Sequence, residues 1–258
     1  MTNRHSRRIR RIRSGLLIGG ALAALAALFL SDPIPQDPAY HDFADTRPWA
    51  GIPNFWNVVS NLPFLAAGLF GLWRLPRLAA NGGKPAYVAI CAGIIGVSLG
   101  SAYYHFSPGN ESLVWDRLPM TVAFMALFAL LLEERVLPGR QFLTLASLLA
   151  VGMGSVLYWA WTESRGAGDL RFYGLVQFLP LILAPLILLW YPARFVQSRF
   201  LVWGLLFYVA AKAAEQADRQ LYELTGAISG HSIKHLLAGL AALCIILAIP
   251  VRRPAGDS

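Results

Sequence analysis

Charge is scarce in this chain. Asp, Glu, Lys and Arg together make up 14% of its 258 residues, where a soluble globular domain carries nearer a quarter. That deficit argues against an ordinary soluble domain. Acidic residues are the scarcer sign, 14 against 22 Lys and Arg. Cysteine is almost missing: Cys91 and Cys244 both lie in apolar segments, read as small buried hydrophobes, and say little about redox compartment. No strand-like alternation of useful length occurs, so a β-barrel is not expected.

What is present is apolar sequence. Hydrophobic residues make up 56% of the chain, in runs that reach or approach the ~20 residues a helix needs to cross a bilayer. The chain therefore reads as all-α, a polytopic membrane helical bundle in one domain. The net charge of +8 does not point to nucleic acid, because of where it sits. Arg4, Arg7, Arg8, Arg10, Arg11 and Arg13 cluster in the N-terminal tail, residues 1–13. Such a cluster marks a cytoplasmic end and a contact with anionic lipid.

Residues 14–30 form the first apolar run. A charged start before an apolar core also fits a signal peptide, but the run is long for one and no clean small-x-small site follows. It is read as an uncleaved anchor helix. Residues 31–52 form a loop in which Pro33, Pro35 and Pro38 rule out a regular helix. Seven further crossings fill residues 53–250, at about 53–75, 85–105, 113–132, 142–161, 172–191, from 200 onward, and 231–250; residues 251–258 are a tail. Gly93, Gly96 and Gly100 suggest close helix approach, and Pro180 and Pro185 suggest kinks. Eight crossings from a cytoplasmic N-terminus put both termini inside, and the inside segments then hold most of the basic residues, as the positive-inside rule requires. The tail and the short loops suggest a bacterial inner membrane. In this topology the 31–52 loop, Ser101–Asp116 and Gly230–His235 share the extracytoplasmic face.

The last two stretches carry the chemistry. Ser101 and His105 are one helical turn apart, and so are His231 and His235, so each pair projects from one face of its helix. Two histidines at i, i+4 can chelate one ion, and ionisable groups at apolar segments are functional by default. Three imidazoles with one open position is the pattern of a catalytic zinc, beside which Asp116 would act as general base and acid and Ser101 would hydrogen-bond an oxyanion, the water or Asp116. The plainer readings are a core His105 bonded to Asp116 without metal, an Asp116–Arg117 ion pair, a back-bonded Ser101, a structural Lys212–Glu215 pair and a loop histidine at His41. Asn54, Asn57 and Asn61 share a helical face, which usually glues helices together.

The order Ser101-x-x-x-His105, Asp116 eleven residues on, and His231-x-x-x-His235 resembles the CREST superfamily of membrane hydrolases and receptors, and the alkaline ceramidase family most nearly. Phe55-Trp56-Asn57-Val58-Val59-Ser60-Asn61 resembles that family's FWNxxSN signature. The resemblance spans residues 40 to 240. It implies a seven-helix core with the first helix an addition, zinc on His105, His231 and His235, and Ser101 and Asp116 completing the catalytic group. The implied activity is hydrolysis of the amide of a ceramide-like membrane lipid to a sphingoid base and a fatty acid. Eukaryotic members carry a dense acidic motif before FWN that binds calcium; here only Asp42, Asp45 and Asn54 are offered, with Arg47 among them, and Asn57 and Asn61 complete a candidate loop or supporting site. The rival readings are a lipid receptor or sensor of the same superfamily and a proton-coupled transporter using the intramembrane His, Asp, Lys and Glu.

Overall fold

The computed structural model describes residues 2–79 and 83–252, with only the backbone described for residues 2–6. The expected tail residues 253–258, Arg253 among them, and the side chain of Arg4 lie outside the described residues. Among those described the chain is helical, and two isolated bridges, Trp49 with Ile52 and Leu78 with Val251, are its only β pairings.

Helix α1 (Thr2–Leu30) runs back through the basic tail as well as the apolar run. In the loop that follows, the prolines leave only a single 3-10 turn, Pro38–His41, capped by the Asp37 carboxylate accepting from the Ala39 N–H. The second crossing is not one helix. It divides into α2 (Phe55–Val59) and α3 (Leu62–Arg74), because Pro63 has no N–H to give the Val59 carbonyl. The chain continues as α4 (Lys84–Phe106), α5 (Asn110–Leu131) with a π-helical turn at Leu132–Val136, α6 (Gln141–Glu163) and α7 (Arg171–Trp190). Helix α7 is continuous through Pro180 and Pro185. It ends with α8 (Ser198–Gln216), α9 (Asp218–Thr225) and α10 (Gly230–Ala248).

Seven of these helices, counting α2 with α3, are long and apolar enough to cross a membrane. Helix α8 is not among them, since Arg199, Lys212 and Glu215 interrupt its hydropathy. Its 19 residues still extend ~28 Å at 1.5 Å each, close to the hydrocarbon thickness of ~30 Å, and it lies along α10.

Neighbours run α3–α4–α5–α6–α7 on one side and α8–α10–α3 on the other. The main core gathers Phe64, Ile90, Ile94, Ala126, Leu130 and Ile246 from α3, α4, α5 and α10. Helix α1 stands outside, docking Leu17 against Leu183, Ile187 and Tyr191 of α7 and its end. Gly93, Gly96 and Gly100 all face α5: a Cβ there would collide with Ala123, Pro119 and the Trp115 carbonyl respectively. The last contact has a local cause. Pro119 cannot bond the Trp115 carbonyl four residues back, and that carbonyl packs onto Gly100, where only hydrogen fits. Ser101 and Asp116, the next residue on each helix, are thereby brought face to face.

Candidate metal centre

Three imidazoles meet where α4 ends and α10 begins. Their ring centroids are 4.7 Å (His105–His231), 4.9 Å (His105–His235) and 4.8 Å (His231–His235) apart. All three are buried, and one nitrogen from each lies within 4.8 Å of the others. The His105 and His231 Nε2 atoms are 3.2 Å apart. Two nitrogens bound to one tetrahedral zinc at ~2.0–2.1 Å stand ~3.3 Å apart.

Local folding places each ring. His231 and His235 occupy the first turns of α10, whose start is capped by Ser229 accepting from the Ser232 N–H at 3.2 Å. The Asp218 carboxylate accepts from the His231 N–H at 2.7 Å and from the Ala44 N–H at 2.9 Å, tying the 31–52 loop to α10. Gly230 permits the approach, as a Cβ there would meet the Ala214 carbonyl and the Asp218 backbone. The His235 Nδ1 lies 2.8 Å from the Ser60 hydroxyl, which itself donates to the Asn57 carbonyl. Ser60 is then an acceptor for Nδ1–H, and the His235 Nε2 lone pair is left for an ion. Phe43 covers the cluster, 4.7 Å from the His105 ring and 4.9 Å from His231.

The acid and the hydroxyl stand alongside. Ser101 and Asp116 are buried, 3% and 8% exposed, and line the same cavity. Asp116 forms no ion pair among the described residues, with Arg117 or with any other cation. Lys234 Nζ lies 3.1 Å from His231 Nε2 and 2.8 Å from Glu215, which also pairs with Lys212. A cavity of about 510 Å³ begins at Ser101, Asp116, Lys234 and His235 and continues between α4, α5, α7, α8 and α10 to Leu127, Ala242 and Ile245. From His235 to Ile245 the helical rise is ~15 Å. The site is thus the polar end of an otherwise apolar chamber, able to hold a cation, a proton acceptor and a long hydrocarbon chain together.

The family model described as Ceramidase matches residues 49–254. The chain belongs to the Ceramidase family. No curated protein matches it. The matched span leaves out α1 and most of the loop after it.

The histidine donors of this Ceramidase member could hold a metal ion. His231 Nε2, 3.2 Å from His105 Nε2 and 3.1 Å from Lys234 Nζ, can accept a hydrogen bond from either or bind an ion, and the buried His105 Nδ1 has no partner. The loop residues do not fit calcium. Both Asp45 oxygens are held by Arg47, at 2.9 and 2.8 Å. The Asn54, Asn57 and Asn61 amides donate to the carbonyls of His105, Asp45 and Asn57. Asn57 Oδ1 accepts from Ser232, and Asp42 is exposed, giving only its backbone N–H to the 3-10 turn. Calcium needs six or more converging oxygens; here donors and a guanidinium occupy the place. Asn57 instead supports the start of α10, and Asn54 holds the end of α4. His41 bonds Tyr104 at 2.8 Å and Asn110 at 3.0 Å, away from the triad's ring nitrogens.

Phe43, Asp218 and Lys234 were not singled out from the sequence as site residues. Lys234 carried a signal, a cation inside the His231–His235 turn. Phe43 and Asp218 had none, because their contacts close over long sequence separations.

Proposed function

We propose that this chain is a zinc-dependent hydrolase acting within the membrane, cleaving the amide bond of a ceramide-like lipid to a sphingoid base and a fatty acid. The observation that carries the reading is the histidine triangle set at one end of a long apolar cavity, beside a buried carboxylate. His105, His231 and His235 would hold the ion. When bound, zinc supplies Lewis acidity and makes water a nucleophile near neutral pH.

The chain's own side chains do the rest. Asp116 accepts the proton that water gives up and delivers it to the departing amine nitrogen, so that one carboxylate serves as base and then as acid. Ser101 donates to Asp116 and fixes which oxygen faces the substrate. Phe43 and the apolar walls exclude bulk water, which strengthens every polar interaction inside. The acyl chain lies along Ile94, Val97, Met120, Phe124 and Leu127, and the amide reaches Asp116 at the polar end. Residues 53–250 form the catalytic core, and α1 is an addition. The basic tail faces the cytoplasm against anionic lipid, the site faces the opposite side, and the setting is a bacterial inner membrane.

The test is His231→Ala in purified full-length protein, with elemental analysis and ceramide hydrolysis measured on the same sample. Loss of stoichiometric zinc together with a fall in rate of about 10³-fold, the equivalent of ~4 kcal/mol, is expected. Full zinc and full activity in the variant would reject the assignment.

A further inference from the structure

Arg117 is a buried cation with a donor left over. It follows Asp116 on α5, is 4% exposed and lines the same cavity. Its guanidinium carbon lies 4.3 Å from the Trp159 ring centroid, 4.8 Å from Tyr173 and 5.5 Å from Tyr40. Nη2 donates to the Gln36 side-chain oxygen at 2.6 Å. Nη1 is buried with no partner, and no ion pair involves Arg117 among the described residues. The other deeply buried arginines differ: Arg74 donates to the Ile246 and Ile249 carbonyls, and Arg135 pairs with Glu134 while donating to Tyr191.

A cage of rings attracts a cation, yet aromatic faces and one neutral amide do not replace the charged acceptor that a buried guanidinium calls for. The fork of an arginine suits carboxylate or phosphate, which take two parallel hydrogen bonds. The charge around it agrees. The cavity lining carries three carboxylates, Asp37, Asp116 and Glu215, and three cations, Arg117, Lys212 and Lys234, but Lys212 and Lys234 both pair with Glu215 and no carboxylate pairs with Arg117. Position then says which half of a substrate would carry the anion. The acyl chain follows the apolar walls toward Leu127 and Ile245, whereas Arg117 lies at the polar end with Gln36 and Tyr40 of the loop.

We propose that Arg117 is a specificity-determining residue that binds an oxyanion, carboxylate or phosphate, on the amine half of the lipid amide. This rests on the hydrolase reading and replaces the neutral ceramide of that reading by an anionic N-acyl lipid, whose amine product need not be a sphingoid base.

The experiment compares three amides sharing one acyl chain: N-palmitoyl sphingosine, its 1-phosphate and N-palmitoylglycine. The zinc-loaded full chain is expected to show kcat/KM at least 10-fold higher for one of the anionic pair, and which one identifies carboxylate or phosphate. Arg117→Gln should lower that preference at least 10-fold, through KM rather than kcat. Arg117→Lys, which keeps the charge but not the fork, should fall between. No anionic preference in the parent protein, or an equal loss on all three substrates, overturns the proposal and leaves Arg117 a packing residue. A second readout separates this from the hydrolase reading. In metal-free protein, where no turnover occurs, N-palmitoylglycine or ceramide 1-phosphate should raise the melting temperature saturably, and Arg117→Gln should abolish the shift. Binding of that kind with no hydrolysis of any amide by zinc-loaded protein would reject the enzyme and keep the anion site; equal shifts in parent and variant would reject the anion site.

Discussion

The two ends of this bundle use buried polar groups in opposite ways. At the end opposite the histidines, charges are matched to groups of the fold itself. Glu134 accepts from the backbone N–H groups of Arg194, Phe195 and Val196 and pairs with Arg135 at 2.6 Å. Arg74 caps the last carbonyls of α10, and Arg10 and Arg13 reach the carbonyls at the ends of α5 and α7. Cations at helix C-termini satisfy open carbonyls and oppose the helix dipole. At the histidine end several polar groups lack such partners: His105 Nδ1, Arg117 Nη1 and an Asp116 carboxylate in no ion pair, near two Nε2 atoms 3.2 Å apart. The charged side chains at the far end find partners within the fold, although the Gln141 amide there does not, whereas Arg117 and His105 each keep one nitrogen open. Arg10 and Arg13 of the tail accordingly have a structural use besides any contact with lipid.

That contrast can be broken by mutation. The largest effect is expected at the histidine end: Asp116→Asn should lower amide hydrolysis by about 10²–10⁴-fold, the range of general acid–base catalysis, while elemental analysis finds the metal retained. An equal loss of metal would make Asp116 a structural partner of the triad. At the far end Glu134→Ala leaves the Arg135 Nε and three backbone donors unmatched and should cost about 3–5 kcal/mol, seen as a lower melting temperature in detergent with normal turnover per folded molecule. Should turnover per folded molecule drop as well, the separation of the two ends fails. Ser60→Ala removes the partner of His235 Nδ1 and is expected to weaken metal affinity about 10–100-fold, measured by competition with a chelator.

The smallest effect sharpens the comparison at the loop. Burial alone would raise the Asp45 pKa, but the hydrogen bonds and charge of Arg47 outweigh it and hold the carboxyl below its usual range. A depressed carboxylate contributes stability that is present above its unfolded pKa of ~3.9 and is lost as pH falls through the lower folded value. With Arg47 half exposed, solvent screening limits the contribution to about 1 kcal/mol. Melting temperatures of the parent protein and Asp45→Asn should therefore differ at pH 7 and converge as pH falls below the carboxylate range. Added calcium should not widen the gap, and a calcium-dependent rise in the parent alone would restore the ion to this loop.

Much of the fold was legible in sequence because the bilayer imposes a length. Apolar runs near 20 residues must be helices when no water can satisfy the backbone, and α4, α6, α7 and α10 begin and end within two residues of the expected bounds. Two features were harder. Pro63 divides the second crossing into two short helices, a local break inside an unbroken apolar run. Helix α8 carries its charges on a surface shared with α10, so hydropathy understates it; Lys212 and Glu215 were legible as a pair three residues apart, whereas Lys234, 19 residues further on, was not.

By itself the sequence determined the helices, the residue types able to bind a metal, and the one-turn spacing that puts Ser101 with His105 and His231 with His235 on single faces, since 3.6 residues per turn is a property of the backbone alone. Only the tertiary structure decided that the two faces meet, that Arg47 stands among the would-be calcium ligands, and that Arg117 stands unpaired beside the cavity. Those outcomes depend on close helix contacts at Gly100 and Gly230 and on hydrogen bonds joining residues more than 100 positions apart, and no local pattern encodes which distant partner a side chain will find.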